Sequence, residues 1–160
     1  MIKKAEISQL PEILSIYASA RNFMAQTGNP TQWGTSEPPE DRVRKDIQEG
    51  KCYLNCDGEK ILAVFYFALE EDPTYSHIDG AWLNDAPYGV VHRIAVGESG
   101  RGIAAQCFDF AMTYCDNLRI DTHENNIPMH RCLAKNGFHR CGVIYLENGD
   151  PRIAYQKVKE

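Results

Sequence analysis

Residues 92–104 read His-Arg-Ile-Ala-Val-Gly-Glu-Ser-Gly-Arg-Gly-Ile-Ala. The β-branched residues around this start predict a strand over Val90–Val96, and apolar residues at three- and four-residue steps after Gly102 predict a helix that ends near Asn117. A glycine-rich turn between a strand and a helix leaves backbone N–H groups free at the helix N-terminus, where the helix dipole also favours an anion. The segment therefore predicts a strand–turn–helix unit that binds a phosphate or pyrophosphate, with a tight turn that binds nothing as the alternative.

Glycine spacing in this turn disfavours two common nucleotide sites. The order from Gly97 is Gly-x-x-Gly-x-Gly, which differs from the Gly-x-Gly-x-x-Gly of dinucleotide-binding folds. A Walker loop would need a Gly-Lys-Ser/Thr ending, and the turn has none. A nucleotide-binding regulator is thus the weaker interpretation of this segment.

The rest of the chain alternates strand and helix patterns. Strands are predicted over 1–7, 51–55, 61–69, 118–122, 138–145 and 152–158, and helices over 10–24, 40–48 and 127–136. This order predicts an α/β (α+β) fold with a mixed, mainly antiparallel central sheet flanked by helices, and one parallel crossover in the middle. Because no repeat or long linker interrupts the pattern, we expect residues 1–160 to form a single domain.

Composition narrows the function classes. With 160 residues, 43% of them hydrophobic, the chain can build a real core, and its net charge of −5 weighs against nucleic-acid binding. We expect a cytoplasmic protein that does not bind membranes, because no signal-like start and no apolar run of about 18 residues is present. The six cysteines are scattered through apolar stretches, so we expect free thiols and no metal site.

Two segments together resemble the GNAT N-acetyltransferase family. Ser99-Gly100-Arg101-Gly102-Ile103-Ala104 is similar to the family's coenzyme A pyrophosphate loop, Gln/Arg-x-x-Gly-x-Gly/Ala. Residues 126–138 are similar to its second segment, a helix that starts at Asn and closes in Lys-x-Gly-Phe. The resemblance implies the GNAT acyl-CoA N-acyltransferase fold, in which central parallel strands splay apart and the pantetheine arm of acetyl-CoA, the acyl donor, fills the gap.

The resemblance also implies which residues contact coenzyme A, mainly through their backbone groups. They are Ile94, Ala95, Val96, Ser99, Gly100, Arg101, Gly102, Ile103, Ala104, Asn126 and Met129. Two positions depart from the family pattern. Ser99 stands where the family has Gln or Arg, and Leu133 stands where many members have the Tyr that protonates the leaving thiolate.

Acyl transfer to an amine needs a base that removes a proton from the amine. His92 is the expected base, because it lies two residues before Ile94, hence on the same strand face, and imidazole titrates near neutral pH. A structural, half-buried histidine is the alternative. Tyr145 is the expected substitute acid. The residues expected to line the acceptor pocket are Trp33, Asp79, Trp82 and His123.

The sequence thus predicts an N-acetyltransferase that moves an acetyl group from acetyl-CoA to a primary amine of a small-molecule or amino-acid-like acceptor. Attack is expected to be direct, within a ternary complex, with the backbone N–H of Ile94 stabilising the oxyanion. The alternative is a non-catalytic acyl-CoA-binding sensor or partner module on the same fold, which Leu133 favours. The sequence leaves open the identity of the acceptor, the size of the acyl group and whether the chain forms a homodimer.

Overall fold

The computed structural model describes residues 1–97 and 102–160. Its eight strands form one sheet in the order β1-β2-β3-β5-β6-β8-β7-β4. The strands are β1 Ile2–Lys4, β2 Cys52–Asp57, β3 Lys60–Ala68, β4 Asp79–Gly80, β5 Gly89–Val96, β6 Asn117–Thr122, β7 His139–Tyr145 and β8 Pro151–Val158. The helices are α1 Leu10–Gln26, α2 Glu40–Gln48, α3 Ile103–Met112 and α4 Ile127–Lys135, and short 3₁₀ turns cover Ile7–Gln9 and Pro73–Tyr75.

The predicted mixed, mainly antiparallel sheet is confirmed. Among the residues that the structure describes, β5 and β6 are the one parallel pair, and the other pairings are antiparallel. The helix α3 ends earlier than expected, at Met112 rather than near Asn117, because Asn117 already begins β6 and pairs with Val158 of β8. Within residues 1–97 and 102–160, no helix has the length and apolar character needed to cross a membrane.

The parallel strands β5 and β6 separate soon after they begin. They pair only at Gly89 with Leu118 and at Val90 with Arg119. Beyond these pairs β5 is held by β3 on its other side, and β6 by β8. The facing edges therefore diverge in a V, and the backbone groups along them are available to a third, strand-like partner.

A β-bulge interrupts β5 at Arg93. Tyr66 of β3 pairs with His92 and Val64 pairs with Ala95, so two residues of β5 oppose the single residue Phe65. Arg93 has a φ of 48°, the only positive φ of a non-glycine residue in the described chain. The extra residue shifts the alternation of side chains between the two sheet faces.

This bulge contradicts the expectation that His92 and Ile94 share a face. Ile94 packs in the core cluster on the α3 side of the sheet, together with Phe108 and Leu133. The ring of His92 instead lies beside Tyr66 and Tyr75, with centroids 5.8 and 6.0 Å away. The simple period of two fails here because the bulge inserts one residue between them.

The two sheet faces have different coverings. One carries α3 and α4, and its buried residues include Phe65, Phe108 and Leu133. The other carries α1 and α2 at one end, over Val64 and Ala95. At its other end, Tyr66, Tyr75 and Ile144 pack beneath the segment 69–88. The V between β5 and β6 connects the two faces.

Candidate active site

A cleft of about 590 Å³ occupies the V. Its walls come from β5, from β6, from the start of α4 and from the loop that follows α1. The predicted site residues that line it are Trp33, His92, Ile94, Asn126 and Met129. The fold thus brings together one predicted acceptor residue, the predicted base and part of the predicted coenzyme A site.

His92 is held between two carboxylates. Its Nε2 lies 2.8 Å from Oδ2 of Asp72, and its Nδ1 lies 3.9 Å from Oδ2 of Asp121. The same Asp121 oxygen accepts a 2.6 Å hydrogen bond from the hydroxyl of Tyr75. About a fifth of the His92 side chain is exposed, so the ring is fixed in place yet reachable from the cleft.

Asp72 is the anchor of this arrangement. Its carboxylate accepts from the backbone N–H of Thr74 at 2.9 Å and from the Thr74 hydroxyl at 2.7 Å. Burial by itself would raise the pKa of Asp72, but the hydrogen bonds from His92 and Thr74 outweigh it and lower the pKa to about 2. An ionised carboxylate only accepts, so Nε2 carries the proton, and in the neutral ring Nδ1 carries the lone pair.

The bulge next to His92 is fixed from the α1–α2 side. Arg93 donates from Nε and Nη2 to the two carboxylate oxygens of Asp46 in α2, both at 3.0 Å. The hydroxyl of Tyr17 in α1 donates to the carbonyl of Arg93 at 2.8 Å. Burial raises the pKa of Asp46, and Arg93 offsets only part of that rise. Two helices thereby hold the backbone conformation that sets the direction of His92.

On the α3–α4 side, the residues fit an amide-bearing anionic ligand. Gly102 is the N-cap of α3, with a φ of 69°, and as a glycine it has no side chain that could cap the first N–H groups of the helix. Asn126 caps α4, with Oδ1 accepting from the N–H of Met129 at 3.2 Å, and its Nδ2 donates to Gln32 at 3.0 Å. The buried hydroxyl of Thr122, on the cleft wall, has no hydrogen-bond partner within residues 1–97 and 102–160.

The remaining predicted coenzyme A residues divide into two groups. Ile103 is buried in the core and Ala104 packs against it, so only their backbone amides can serve a ligand. Ala95 is buried against the α1 side, and Val96 pairs with Ala63. The other group, Ser99, Gly100 and Arg101, lies outside the described residues.

Four of the predicted catalytic and acceptor-binding residues do not line the cleft. Tyr145 and Asp79 sit at the far edge of the sheet, because β7 and β4 are its last two strands, and their side chains bond each other at 2.7 Å. Trp82 lines a second cavity, donating from Nε1 to the carbonyl of Tyr75 at 3.0 Å. His123 lies just outside the cleft, with Nε2 3.3 Å from the hydroxyl of Thr31.

Asp72 and Arg152 also line the cleft, and neither is among the site residues predicted from the sequence. Asp72 is the N-cap of the 3₁₀ turn Pro73–Tyr75, and Asp-Pro-Thr is a recognisable turn signal in the sequence. Arg152 follows the turn between β7 and β8, and a lone arginine at a strand start carries no local signal. Only the sheet order brings these two residues to the cleft.

Neither a metal nor a thiol centre emerges from the described residues. Residues 1–97 and 102–160 hold no cluster of three His, Cys, Asp or Glu side chains placed to bind a metal ion. All six cysteines are free. Burial raises the pKa of both Cys52 and Cys107 to about 12, which suppresses the reactive thiolate.

Solved structures with the same fold are numerous. A GNAT-family acetyltransferase of Streptococcus agalactiae is 29% identical, with a TM-score of 0.90, covering 100% of this chain and 95% of its own. Another from Listeria monocytogenes is 19% identical, with a TM-score of 0.71 over 99% of this chain and 94% of its own. The structure of yncA from Salmonella typhimurium, with its cofactor acetyl-CoA, is 10% identical, with a TM-score of 0.67 over 100% and 94%.

No protein-family model matches the sequence, and none of the curated proteins does. The likeness at 10 and 19% identity establishes the fold, while the Streptococcus agalactiae protein matches over nearly its whole length at a higher identity. The splayed parallel pair, the start of α3 after Gly102 and the Asn-capped α4 follow the order that the resemblance predicts. The chain therefore has the fold of the GNAT-family acetyltransferases, and it is similar to the Streptococcus agalactiae member at 29% identity over nearly the whole length of both chains.

Proposed function

We propose that this chain transfers an acetyl group from acetyl-CoA to the primary amine of a small acceptor. The observation that carries the proposal is the pair of His92 and Asp72 in the cleft, with Nε2 and Oδ2 2.8 Å apart. A fixed imidazole with its other nitrogen turned towards a cleft is what removal of an amine proton requires.

Acetyl-CoA supplies an activated thioester carbonyl when it is bound. The residues that would hold it are the backbone edges of Ile94 and Val96, the amides at the start of α3, and Asn126 with Met129 of α4. The diverging edges of β5 and β6, together with the unpartnered hydroxyl of Thr122, suit a ligand that carries amide groups.

His92 is the proposed general base and Asp72 its positioning residue. The acceptor amine gives one proton to Nδ1, whose lone pair is free because Nε2–H donates to Asp72. Asp121, 3.9 Å from Nδ1, then faces the protonated ring and stabilises its charge. Asp121 stays in place because the Tyr75 hydroxyl donates to it.

Leu133 occupies the position at which many GNAT members have the tyrosine that protonates the leaving thiolate. Leu133 is fully buried in the core, so its site offers no acid. A thiolate with a conjugate-acid pKa of about 8.5 is a tolerable leaving group at neutral pH, so transfer can proceed without one. The buried Leu133 nevertheless favours the second candidate, a non-catalytic acyl-CoA-binding sensor on the same fold.

One experiment separates the two candidates. Thiol release from acetyl-CoA is followed across a panel of amines and amino acids, and coenzyme A binding is followed by calorimetry. Amine-dependent release is expected. Binding with no release by any amine would favour the sensor, and no binding would overturn both candidates.

A further inference from the structure

Arg152 places a positive charge inside the cleft without a matching negative one. The residue is only 7% exposed, and it lines the cleft at the start of β8. Its recorded hydrogen bond runs from Nη1 to the carbonyl of Pro151 at 2.8 Å, which uses one of five N–H donors. Among residues 1–97 and 102–160, no carboxylate lies within ion-pair distance of it.

The other charged groups of the cleft are already paired or exposed to solvent. Arg93 is bidentate on Asp46, and Asp72 is bonded to His92. Asp150 is exposed, and its carboxylate accepts from the Asn148 amide at 3.3 Å. Burying a cation is costly unless an anion accompanies it, so Arg152 is the position in this cleft that lacks a counter-ion.

The effect of this charge reaches a neighbouring histidine. Burial lowers the pKa of His123, and the charge of Arg152 lowers it further. The carboxylates of Glu124 and Asp150 act on that pKa in the opposite direction.

Strand alternation separates Arg152 from the expected phosphate site. Ile153 and Tyr155 pack on the face that carries α3 and α4, whereas Ala154 packs beside Tyr66 and Tyr75 on the opposite face. Alternation places Arg152 on the face of Ala154. Gly102, where the pyrophosphate is expected, leads into α3 on the face that carries α3 and α4, so the anion that Arg152 lacks belongs to the acceptor side of the cleft.

The spacing along β8 between Arg152 and the residue that pairs with Asp121 suits a small zwitterion. Ala154 pairs directly with Asp121, the carboxylate that faces His92. Arg152 is two residues before Ala154 on the same strand, which puts their Cα atoms roughly 7 Å apart. A molecule with an ammonium group at Asp121 and His92 and a carboxylate a few bonds away can reach Arg152.

We propose that the acceptor is an amino acid with a free carboxylate, and that Arg152 binds this carboxylate through its guanidinium. The inference rests on the proposed function, since it identifies the acceptor of that transfer. Arginine suits this task because its planar fork meets both carboxylate oxygens. Asp121 and His92 contact the amino group, while Arg152 contacts the carboxylate, so the two ends of the acceptor bind to different parts of the cleft.

The test compares each of the common amino acids with its carboxamide, which keeps the α-amine and removes the negative charge. Acetyl-CoA is the donor, and thiol release is the readout. For the preferred side chain, kcat/KM for the acid is expected to exceed that for the amide by about a hundredfold. Thermal unfolding of the coenzyme A complex gives a second readout, because the acid and not the amide is expected to raise Tm.

Arg152→Gln is expected to raise KM for the acid by about a hundredfold, with little change in kcat and no change for the amide. Arg140→Gln is the matched control, because Arg140 is exposed on β7 outside the cleft and its loss changes the net charge equally. If Arg152→Gln fails to fold, Arg152→Lys keeps the charge and loses the fork, and it should still raise KM for the acid.

The outcomes separate the two proposals. Equal use of acids and amides, or unchanged selectivity in the folded Arg152 variant, would overturn the carboxylate site and leave the transferase standing. Absence of thiol release with every acid and every amide, while another amine supports release, would likewise overturn the amino-acid acceptor alone. Absence of release with every amine tested would overturn the transferase, and this inference with it.

Discussion

Asp72 and His92 are 20 positions apart in the chain, and their side chains meet at 2.8 Å. Asp72 lies in the segment between β3 and β5, while His92 lies on β5 directly before the bulge. Because Thr74 fixes the carboxylate and the bulge fixes the strand, the imidazole has one orientation and one tautomer. The catalytic proposal depends on this pair, and it can be tested from both sides.

His92→Ala is expected to reduce kcat/KM by about a hundredfold or more while the affinity for coenzyme A stays the same, since a base acts on the amine and not on the donor. The measurements are steady-state thiol release and calorimetry. His139→Ala is the control, because His139 is exposed on β7 away from the cleft. A rate that is unchanged at every pH would remove His92 from the mechanism.

Asp72→Asn is expected to lower kcat/KM by about tenfold or more and to move the acid limb of the pH–rate profile to lower pH. A carboxamide at this position no longer stabilises the protonated imidazole and no longer enforces its tautomer. A purely structural role would lower the amount of active enzyme and leave the shape of the profile alone. An unshifted profile would therefore contradict the positioning role.

The same carboxylate should make stability depend on pH. Its pKa is about 2 in the folded chain against an ordinary value of 3.8, so the folded state binds fewer protons and gains stability as pH rises between these values. The contribution is about 2 kcal/mol at most, fully present above about pH 4 and lost as pH falls towards 2. In urea unfolding, the gap between the native chain and Asp72→Asn should shrink over that window. A difference in unfolding free energy that stays constant from neutral pH downwards would contradict this contribution of Asp72.

Gly102→Val is expected to weaken coenzyme A binding, and Gly58→Val supplies a matched control. The two glycines have φ values of 69° and 61°, and an added Cβ would meet nothing within 4 Å at either position. Both variants should therefore lose about 1–2 kcal/mol of stability from backbone strain. Only Gly102 begins α3, so only its variant should bind coenzyme A less tightly by calorimetry. Equal affinities in the two variants would argue against a phosphate site at this turn.

Local patterns were enough to predict most elements, and the exceptions have a physical reason. The helix Glu40–Gln48 and the hairpin around Asp57-Gly58 follow from short-range periodicity and turn chemistry. The bulge at Arg93 depends on Asp46 and Tyr17, which are 47 and 76 positions away, so no local signal reveals it. A strand without this bulge would place His92 and Ile94 on one face, which is what the alternation in the sequence predicts.

The predicted site residues show the same difference between local sequence signals and long-range contacts. His92, Asn126 and Met129 were found because they lie on segments that the motifs mark, and all three line the cleft. Asp79 and Tyr145 were chosen for their chemistry alone, and the sheet order carries both to its far edge. Residue type predicts what a side chain can do, but its position requires the long-range pairing of strands.

The buried thiols of Cys52 and Cys107 should be unreactive, which would exclude them as nucleophiles. With pKa values raised to about 12, Cys52 and Cys107 should hold roughly a thousandfold less thiolate than an ordinary thiol at pH 8, and their burial also blocks access. Iodoacetamide is expected to leave both unlabelled in the native chain and to label both in denaturing guanidinium, as read by mass spectrometry of peptides.

The more accessible Cys115, Cys132 and Cys141 should react first. Because no cysteine is among the described residues that line the cleft, chains alkylated at those three positions should keep their rate of thiol release. Loss of that rate with coenzyme A binding intact would return a thiol to the mechanism and displace His92 as the group that meets the amine.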